Sequence, residues 1–263
     1  IPCLGFLSVI LVGWIVLMLP ICNNGNVTPF DALFTAVSAT CVNGLTTVNL
    51  STEYSFLGQL AIAIITEIGA IGFVTFISFI LSFKKKRMSL SETLLLGSAL
   101  NDNNYGKLKQ RLKEVIKYTI VIQIIGAILL AVDFIPRFGI KNGIWYSIFH
   151  SITAFCNAGF DIIGDTSLEI FAKNIYLNIV FIILMFLGSI GYFVIEDIIG
   201  AIKKKRFIHI SFHTKIVLTA SLIIYLVSIM LLKIAEPNLT WLEAVFTSVT
   251  ARTTGFSTIN MAG

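Results

Sequence analysis

The chain has 263 residues, of which 56% are hydrophobic and only 13% are charged, with a net charge of +5. A soluble domain carries about 25% charged residues, so this chain has too few charges to cover a surface that faces water. The composition excludes an ordinary soluble protein and a disordered chain, and it indicates an integral membrane protein. The four cysteines show no paired spacing, which argues against a disulfide framework and against a zinc site.

Five apolar segments follow one another along the chain, and each is long enough to cross a bilayer, which takes about 20 residues. The second and the fourth exceed the thickness of the hydrocarbon core, so we expect each to tilt, to kink or to extend into the cytoplasm. The first begins at residue 1 without a methionine and lacks the features of a signal peptide, so we expect the chain to be cut in or just before this span. The five predicted spans are Ile1–Leu19, Phe56–Phe83, Val115–Ile135, Ile175–Ile202 and Ile216–Ile234.

Three further segments are helical in character but too short to cross the membrane. Each follows a span and ends in a polar stretch that contains glycine, which predicts a helix that enters the membrane and turns back. Thr28 and Pro29 provide a cap and a first helical residue for one of them, and Thr240 with Glu243 forms a capping box for another. The three predicted half-helices are Pro29–Thr40, Gly143–Phe155 and Trp241–Ala251.

Most of the 19 basic residues cluster on one side of the predicted membrane. By the positive-inside rule that side is cytoplasmic, so the half-helices enter from the outside. Contact with lipid headgroups explains this charge without a nucleic-acid partner. The two densest clusters, Lys84–Arg87 and Lys203–Arg206, directly follow the second and fourth spans.

An internal repeat underlies this order of segments. Phe34–Ala39 recurs as Phe149–Ala154 and again as Phe246–Ala251, and a glycine follows each copy. The second and fourth spans share a Gly-x-x-Gly pattern, Gly69 with Gly72 and Gly188 with Gly191, which predicts close helix packing. The repeat divides the chain into a first unit (1–87), a cytoplasmic linker (88–114), a second unit (115–206) and the first half of a third (207–263).

The repeated unit predicts a path for cations. Non-helical backbone at membrane depth is tolerated only inside protein or along water, so three such loops imply a shared wet axis. The inward-pointing carboxyl ends of the half-helices carry partial negative charge, and loop carbonyls can replace an ion's hydration shell. No carboxylate cluster lies in the loops, which argues against a site for divalent ions.

The three loops Thr40–Leu45, Phe155–Phe160 and Arg252–Phe256 resemble the first three filter segments of the Trk/Ktr/HKT superfamily of potassium transporters, and most closely those of its Ktr- and Trk-type membrane subunits. The resemblance implies an all-α integral membrane protein of a bacterial plasma membrane, built from repeated units around a pseudo-fourfold pore. It implies potassium uptake, a homodimer and a cytosolic nucleotide-binding regulatory ring. The family's fourth repeat and its gating loop are not found in this sequence.

The same resemblance assigns roles to individual residues. It implies that three filter glycines and neighbouring backbone carbonyls coordinate potassium, and that glycine in the first loop favours potassium over sodium. A sodium-selective or non-selective permease remains an alternative, and sodium coupling is left open. The glycines are Gly44, Gly159 and Gly255, and the carbonyls belong to Val42, Asn43, Asn157, Ala158, Thr253 and Thr254.

Two charged residues are candidates to support this filter. Glu67 lies within a predicted span and Arg252 beside a filter loop, so a direct pair between them is one hypothesis, and exposure of Glu67 to water is the other. Asp161 is expected on the solvated outer surface. A remote alternative is a membrane thiol enzyme that uses Cys156 and His150, although their spacing on one half-helix does not favour contact.

Overall fold

The computed structural model describes residues 2–72, 108–164, 168–204 and 210–259. The predicted linker, the cluster Lys84–Arg87 and the second half of the span Phe56–Phe83 lie outside the described residues. Within the described ranges the regular structure is helical, as predicted. The helices are α1 (Pro2–Met18), α2 (Pro29–Thr40), α3 (Leu50–Glu53), α4 (Phe56–Ile71), α5 (Leu108–Phe155), α6 (Ile175–Ser189), α7 (Tyr192–Lys204), α8 (Phe212–Ala235) and α9 (Trp241–Thr253), with a short 3-10 turn at Glu169–Phe171.

Two of the described helices, α5 and α8, are long and apolar enough to cross a membrane. They contain the predicted spans Val115–Ile135 and Ile216–Ile234. Helices α1 and α4 are apolar but shorter over the described residues. Large apolar side chains remain exposed along α8, including Leu222, Leu226 and Leu231, as expected of a surface that faces lipid.

The fourth predicted span, Ile175–Ile202, is not one straight helix. It consists of α6 and α7, which are bent by 106° relative to each other. Gly191 lies between them with φ of +83°, and Gly72 ends α4 with φ of +85°. Because glycine lacks a Cβ, it adopts this left-handed conformation without strain. Of the three outcomes expected for this long span (tilt, kink or extension into the cytoplasm), the structure shows a kink, and its position is set by the second glycine of the repeated Gly-x-x-Gly pattern.

The half-helices begin as their capping residues predict at two of the three positions. Thr28 and Asp31 form a reciprocal capping box at α2, and Thr240 and Glu243 form another at α9. The second half-helix differs, because it is the last part of α5 and follows a non-helical break at Gly139 with φ of +78° and ψ of +167°. The predicted start at Gly143 is wrong, since the helix already resumes after Gly139.

The half-helices pack between the longer helices. Helix α2 contacts α1 and α4, and α9 contacts α6 and α8. Ala32, Ala36 and Ala39 are fully buried along one face of α2, and their small side chains allow neighbouring helices to approach closely, which is how helices associate within lipid. This packing fixes where the carboxyl end of each half-helix points.

Candidate functional site

The first two glycine loops have the same backbone geometry. In each, the half-helix ends in a Schellman motif, with Val42 (φ +56°) and Asn157 (φ +60°) in the left-handed position. The N–H of Asn43 donates to the carbonyl of Ser38 at 2.9 Å, and the N–H of Ala158 donates to the carbonyl of Thr153 at 2.9 Å. The structural repeat thus extends to individual hydrogen bonds.

The third loop differs, in agreement with its shorter sequence. Helix α9 continues to Thr253, and Thr254 is extended, with φ of −133° and ψ of 159°. The N–H of Thr254 donates to the carbonyl of Thr250 at 2.8 Å. Gly255 therefore reaches the loop assembly directly from the end of the helix, without the left-handed residue that precedes Gly44 and Gly159.

The three loop glycines lie against one another. A Cβ added to Gly44 would overlap the carbonyl oxygen of Ala158, and a Cβ added to Gly159 would overlap the backbone nitrogen of Gly255. A Cβ on Gly255 would lie 3.2 Å from the Ala158 oxygen, 3.3 Å from the Asn43 oxygen and 3.6 Å from the Gly44 Cα. No side chain fits at these contacts without displacing backbone.

The loops separate two cavities. The outer cavity has a volume of about 320 Å³ and is lined by Gly44, Gly159 and Gly255, together with Asp161 and residues that follow the first loop. The inner cavity has a volume of about 580 Å³, and its lining includes the residues that precede these glycines, Val42, Asn157 and Thr253. The glycine loops therefore lie between the residues that line the outer cavity and those that line the inner cavity.

The first glycine of each Gly-x-x-Gly pair supports the loops from behind. A Cβ on Gly69 would overlap the carbonyl oxygen of Thr40, and a Cβ on Gly188 would overlap that of Phe155. These carbonyls belong to the last residues of two half-helices. The predicted close packing is confirmed, and the partner of each glycine is the carboxyl end of a half-helix.

Asn157 also joins the second loop to the third, which sequence reasoning missed. Its side-chain oxygen accepts hydrogen bonds from the hydroxyls of Thr253 at 3.0 Å and Thr254 at 3.2 Å. The sequence analysis assigned only backbone carbonyls of these three residues to the filter. The sequence signal that could have indicated this contact is the polar side chain of Asn157, which lies in a loop predicted at membrane depth.

The proposed direct pair between Glu67 and Arg252 is wrong in this structure. Glu67 accepts hydrogen bonds from Gln123 at 2.7 Å and from the thiol of Cys156 at 3.2 Å. Arg252 donates to the hydroxyls of Ser221 and Tyr225, each at 3.0 Å. Each charged group thus has neutral partners, donors for Glu67 and acceptors for Arg252, and Glu67 lines the inner cavity.

The thiol-enzyme arrangement is also wrong. Both ring nitrogens of His150 have other neighbours, the Tyr146 carbonyl at 2.7 Å and the carboxylate of Asp161 at 2.6 Å. The Cys156 thiol donates to Glu67 and does not contact the imidazole. A nucleophilic cysteine needs a base within hydrogen-bonding distance, and His150 cannot act as that base.

Asp161 lies on the outer side as expected, beside the outer cavity, but its carboxylate is not freely solvated. Its side chain is only 8% exposed and is paired with the fully buried His150. The carboxylate also accepts a hydrogen bond from the N–H of Ile163 at 2.9 Å. The loop that follows Gly159 folds back onto the half-helix, which brings these side chains together.

Comparison with known proteins shows similarity over nearly the whole chain. Residues 9–263 match the TrkH model, described as a cation transport protein. The chain is 39% identical to the potassium/sodium uptake protein NtpJ of Enterococcus hirae, over 97% of this chain and 58% of that protein. It is 35% identical to the Ktr system potassium uptake protein B of Bacillus subtilis, over 98% of this chain and 59% of the relative.

A solved structure is similar in fold. The crystal structure of the potassium transporter TrkH from Vibrio parahaemolyticus aligns with a TM-score of 0.63 and 16% sequence identity. The alignment covers 95% of this chain and 53% of that one. The chain therefore spans a little more than half the length of the proteins that it resembles.

Proposed function

Because the chain belongs to the TrkH family of cation transport proteins, we propose that it forms part of a pore for potassium uptake, with a selectivity filter of backbone carbonyls. Members of this family are multi-pass proteins of bacterial plasma membranes and transport ions, so the enzyme alternative is excluded. One observation carries the proposal: three glycine loops, far apart in the sequence, meet between an outer and an inner cavity.

In this proposal the cation passes from the outer cavity through the ring of loops into the inner cavity. The carbonyls of Val42–Gly44, Asn157–Gly159 and Thr253–Gly255 replace its hydration shell. Three half-helices, α2, the end of α5 and α9, direct the negative ends of their dipoles at the inner cavity. This arrangement stabilises a cation without a side-chain charge in the ring.

The ion is proposed to be monovalent. The loops contain no carboxylate before the glycines, and the described residues hold no group of three or more metal-ligating His, Cys, Asp or Glu side chains. Divalent cations prefer such carboxylate ligands. Gly44 favours potassium, and the potassium/sodium uptake named for one relative keeps a non-selective permease as the second candidate.

The wider assembly is proposed by similarity alone. Relatives are named as parts of Ktr systems, and the family resemblance of the filter loops implies a homodimer of membrane subunits with a cytosolic nucleotide-binding ring. Sodium coupling and the division into two complete units and a partial third belong to the same proposal. A regulatory ring would dock on the cytoplasmic side of the membrane.

The test is Gly44→Ser in the intact protein, expressed in a bacterial strain that lacks its own potassium uptake. A serine Cβ would overlap the Ala158 carbonyl and disturb the ring. Gly25→Ser is the matched control, because Gly25 also has positive φ (+95°) but has no atom within 4 Å of its Cβ position.

Rubidium uptake and its inhibition by sodium report selectivity. We expect Gly44→Ser to lose preference for potassium and rubidium over sodium, whereas Gly25→Ser keeps it. Equal selectivity in both variants and in the wild type would show that Gly44 serves only as a turn residue, and it would overturn the filter assignment.

A further inference from the structure

A buried polar pair lies directly behind the second glycine loop. His150, on the half-helix of the second unit, is 0% exposed, and Asp161, two residues after Gly159, is 8% exposed. The Nε2 atom of His150 lies 2.6 Å from Oδ1 of Asp161. His150 precedes the second glycine loop and Asp161 follows it, so their contact joins the two ends of the segment that contains the loop.

Both ring nitrogens of His150 lie within hydrogen-bonding distance of another residue. The Nδ1 atom lies 2.7 Å from the carbonyl oxygen of Tyr146, and the Nε2 atom lies 2.6 Å from Oδ1 of Asp161. The imidazole is therefore held between its own half-helix and the segment that follows Gly159, and removal of one partner of such a buried contact leaves the other without its hydrogen bond, which is costly.

The pair also contacts the third loop. The His150 ring stacks on Phe256, with ring centroids 6.1 Å apart and an interplanar angle of 24°. Phe256 directly follows Gly255 and is buried. The imidazole therefore touches the element that positions one filter glycine and is bonded to the segment that follows another.

Among the three repeats, the second alone has a histidine and an aspartate at these positions. The equivalent residues are Thr35 and Thr46 in the first repeat, and Thr247 and Ser257 in the third. The short hydroxyl side chains of threonine and serine do not provide the imidazole–carboxylate contact that the second repeat makes. The second loop is thus held at its outer end in a way that the first and third are not.

We infer that His150 and Asp161 are positioning residues that set the width of the second filter loop, and through it the preference for potassium over sodium. The inference rests on the proposed filter. Neither side chain belongs to the proposed ring of carbonyls; the pair holds the carbonyls of Asn157 and Ala158 and the backbone of Gly159 in place by joining the two ends of the loop. Loss of the contact frees the loop to approach a smaller ion.

The test compares three variants in the intact protein. His150→Phe keeps a ring of similar size among the surrounding aromatic side chains but removes both hydrogen bonds. His150→Gln keeps a donor that can reach Asp161. Arg137→Gln is the control, because it breaks an exposed ion pair, Arg137 with Asp133 at 2.9 Å, on the same helix α5.

Uptake of radioactive rubidium and sodium is measured for each variant, with the amount of protein in the membrane as reference. We expect the rubidium-to-sodium ratio to fall about tenfold in His150→Phe, the size of effect that a hydrogen bond to a charged group supports. His150→Gln is expected to restore most of the ratio, and Arg137→Gln to leave it unchanged.

An unchanged ratio in His150→Phe, with normal or reduced protein, would show that the pair only stabilises the fold. If His150→Phe does not reach the membrane, Asp161→Asn takes its place, since it removes the carboxylate but keeps the shape of the side chain. An unchanged rubidium-to-sodium ratio in Asp161→Asn would overturn the inference equally. Failure of the wild type to select rubidium over sodium would instead contradict the proposed function.

Discussion

Gly188→Ala tests how tightly the second half-helix is held against its neighbour. The added Cβ would overlap the carbonyl oxygen of Phe155 and lie 2.7 Å from the amide nitrogen of Asn157. Heavy atoms in contact lie about 3.5–4.0 Å apart, so the overlap with the Phe155 oxygen is relieved only if α6 and the end of α5 separate by about 2 Å. Overpacking of this kind costs about 1–3 kcal/mol.

The expected result is a melting temperature in detergent that falls by about 4–8 °C, the shift that a cost of about 2 kcal/mol produces in a domain of this size. Rubidium uptake should fall as well, because Asn157 bonds to Thr253 and Thr254 in the adjoining loop. Gly200→Ala is the control: its Cβ would have no atom within 4 Å, and helix propensity predicts a gain of up to about 1 kcal/mol.

A Gly188→Ala variant with the melting temperature and uptake of the wild type would contradict the close approach of α6 to Phe155. The same would follow if Gly188→Ala and Gly200→Ala changed stability by equal amounts. In either case the glycine would serve helix flexibility and not the support of the loop.

Two further predictions concern the loops and the caps. Asn157→Val should lower stability in thermal melts by about 2 kcal/mol, because a β-branched residue is strained at positive φ and two hydrogen bonds are lost. Val42→Asn should raise stability by about 1 kcal/mol, because asparagine tolerates positive φ better than valine. A change of the same sign in both variants would contradict the left-handed geometry. Hydrogen bonds from Thr28, and secondarily from Thr47, hold the pKa of Asp31 below its ordinary value. The ionised carboxylate therefore stabilises the folded protein at any pH above the ordinary carboxylate pKa. This stabilisation is lost as the pH falls through the lowered pKa. The difference in melting temperature between wild type and Asp31→Asn should therefore shrink in acid, and a difference that grows would refute this sign.

Patterns that repeat along the chain were sufficient to predict several features of the structure. The capping residues Thr28 and Thr240 correctly placed two helix starts, because capping depends on neighbours three residues apart. The Gly-x-x-Gly pairs predicted close packing, and the second glycine of each also marks where the helix ends or bends. The three loop glycines were identified by their positions in the repeat, and the structure brings them together.

Other features depend on which side chains meet in three dimensions, and the sequence could not specify them. Opposite charge suggested that Glu67 pairs with Arg252, but Gln123 and Cys156 lie closer and satisfy the carboxylate. Asp161 resembled a solvated residue because its burial depends on how the loop after Gly159 folds back. The break at Gly139 was missed because no capping side chain marks it.

The central claim is that backbone oxygens of the three glycine loops bind the transported ion. Diffraction from crystals of the intact protein grown with thallium or rubidium tests it most directly, since the anomalous signal locates these potassium substitutes. The account predicts ions between the two cavities, in contact with carbonyls next to Gly44, Gly159 and Gly255. Ions bound only elsewhere, with these carbonyls turned away from the path between the cavities, would contradict it.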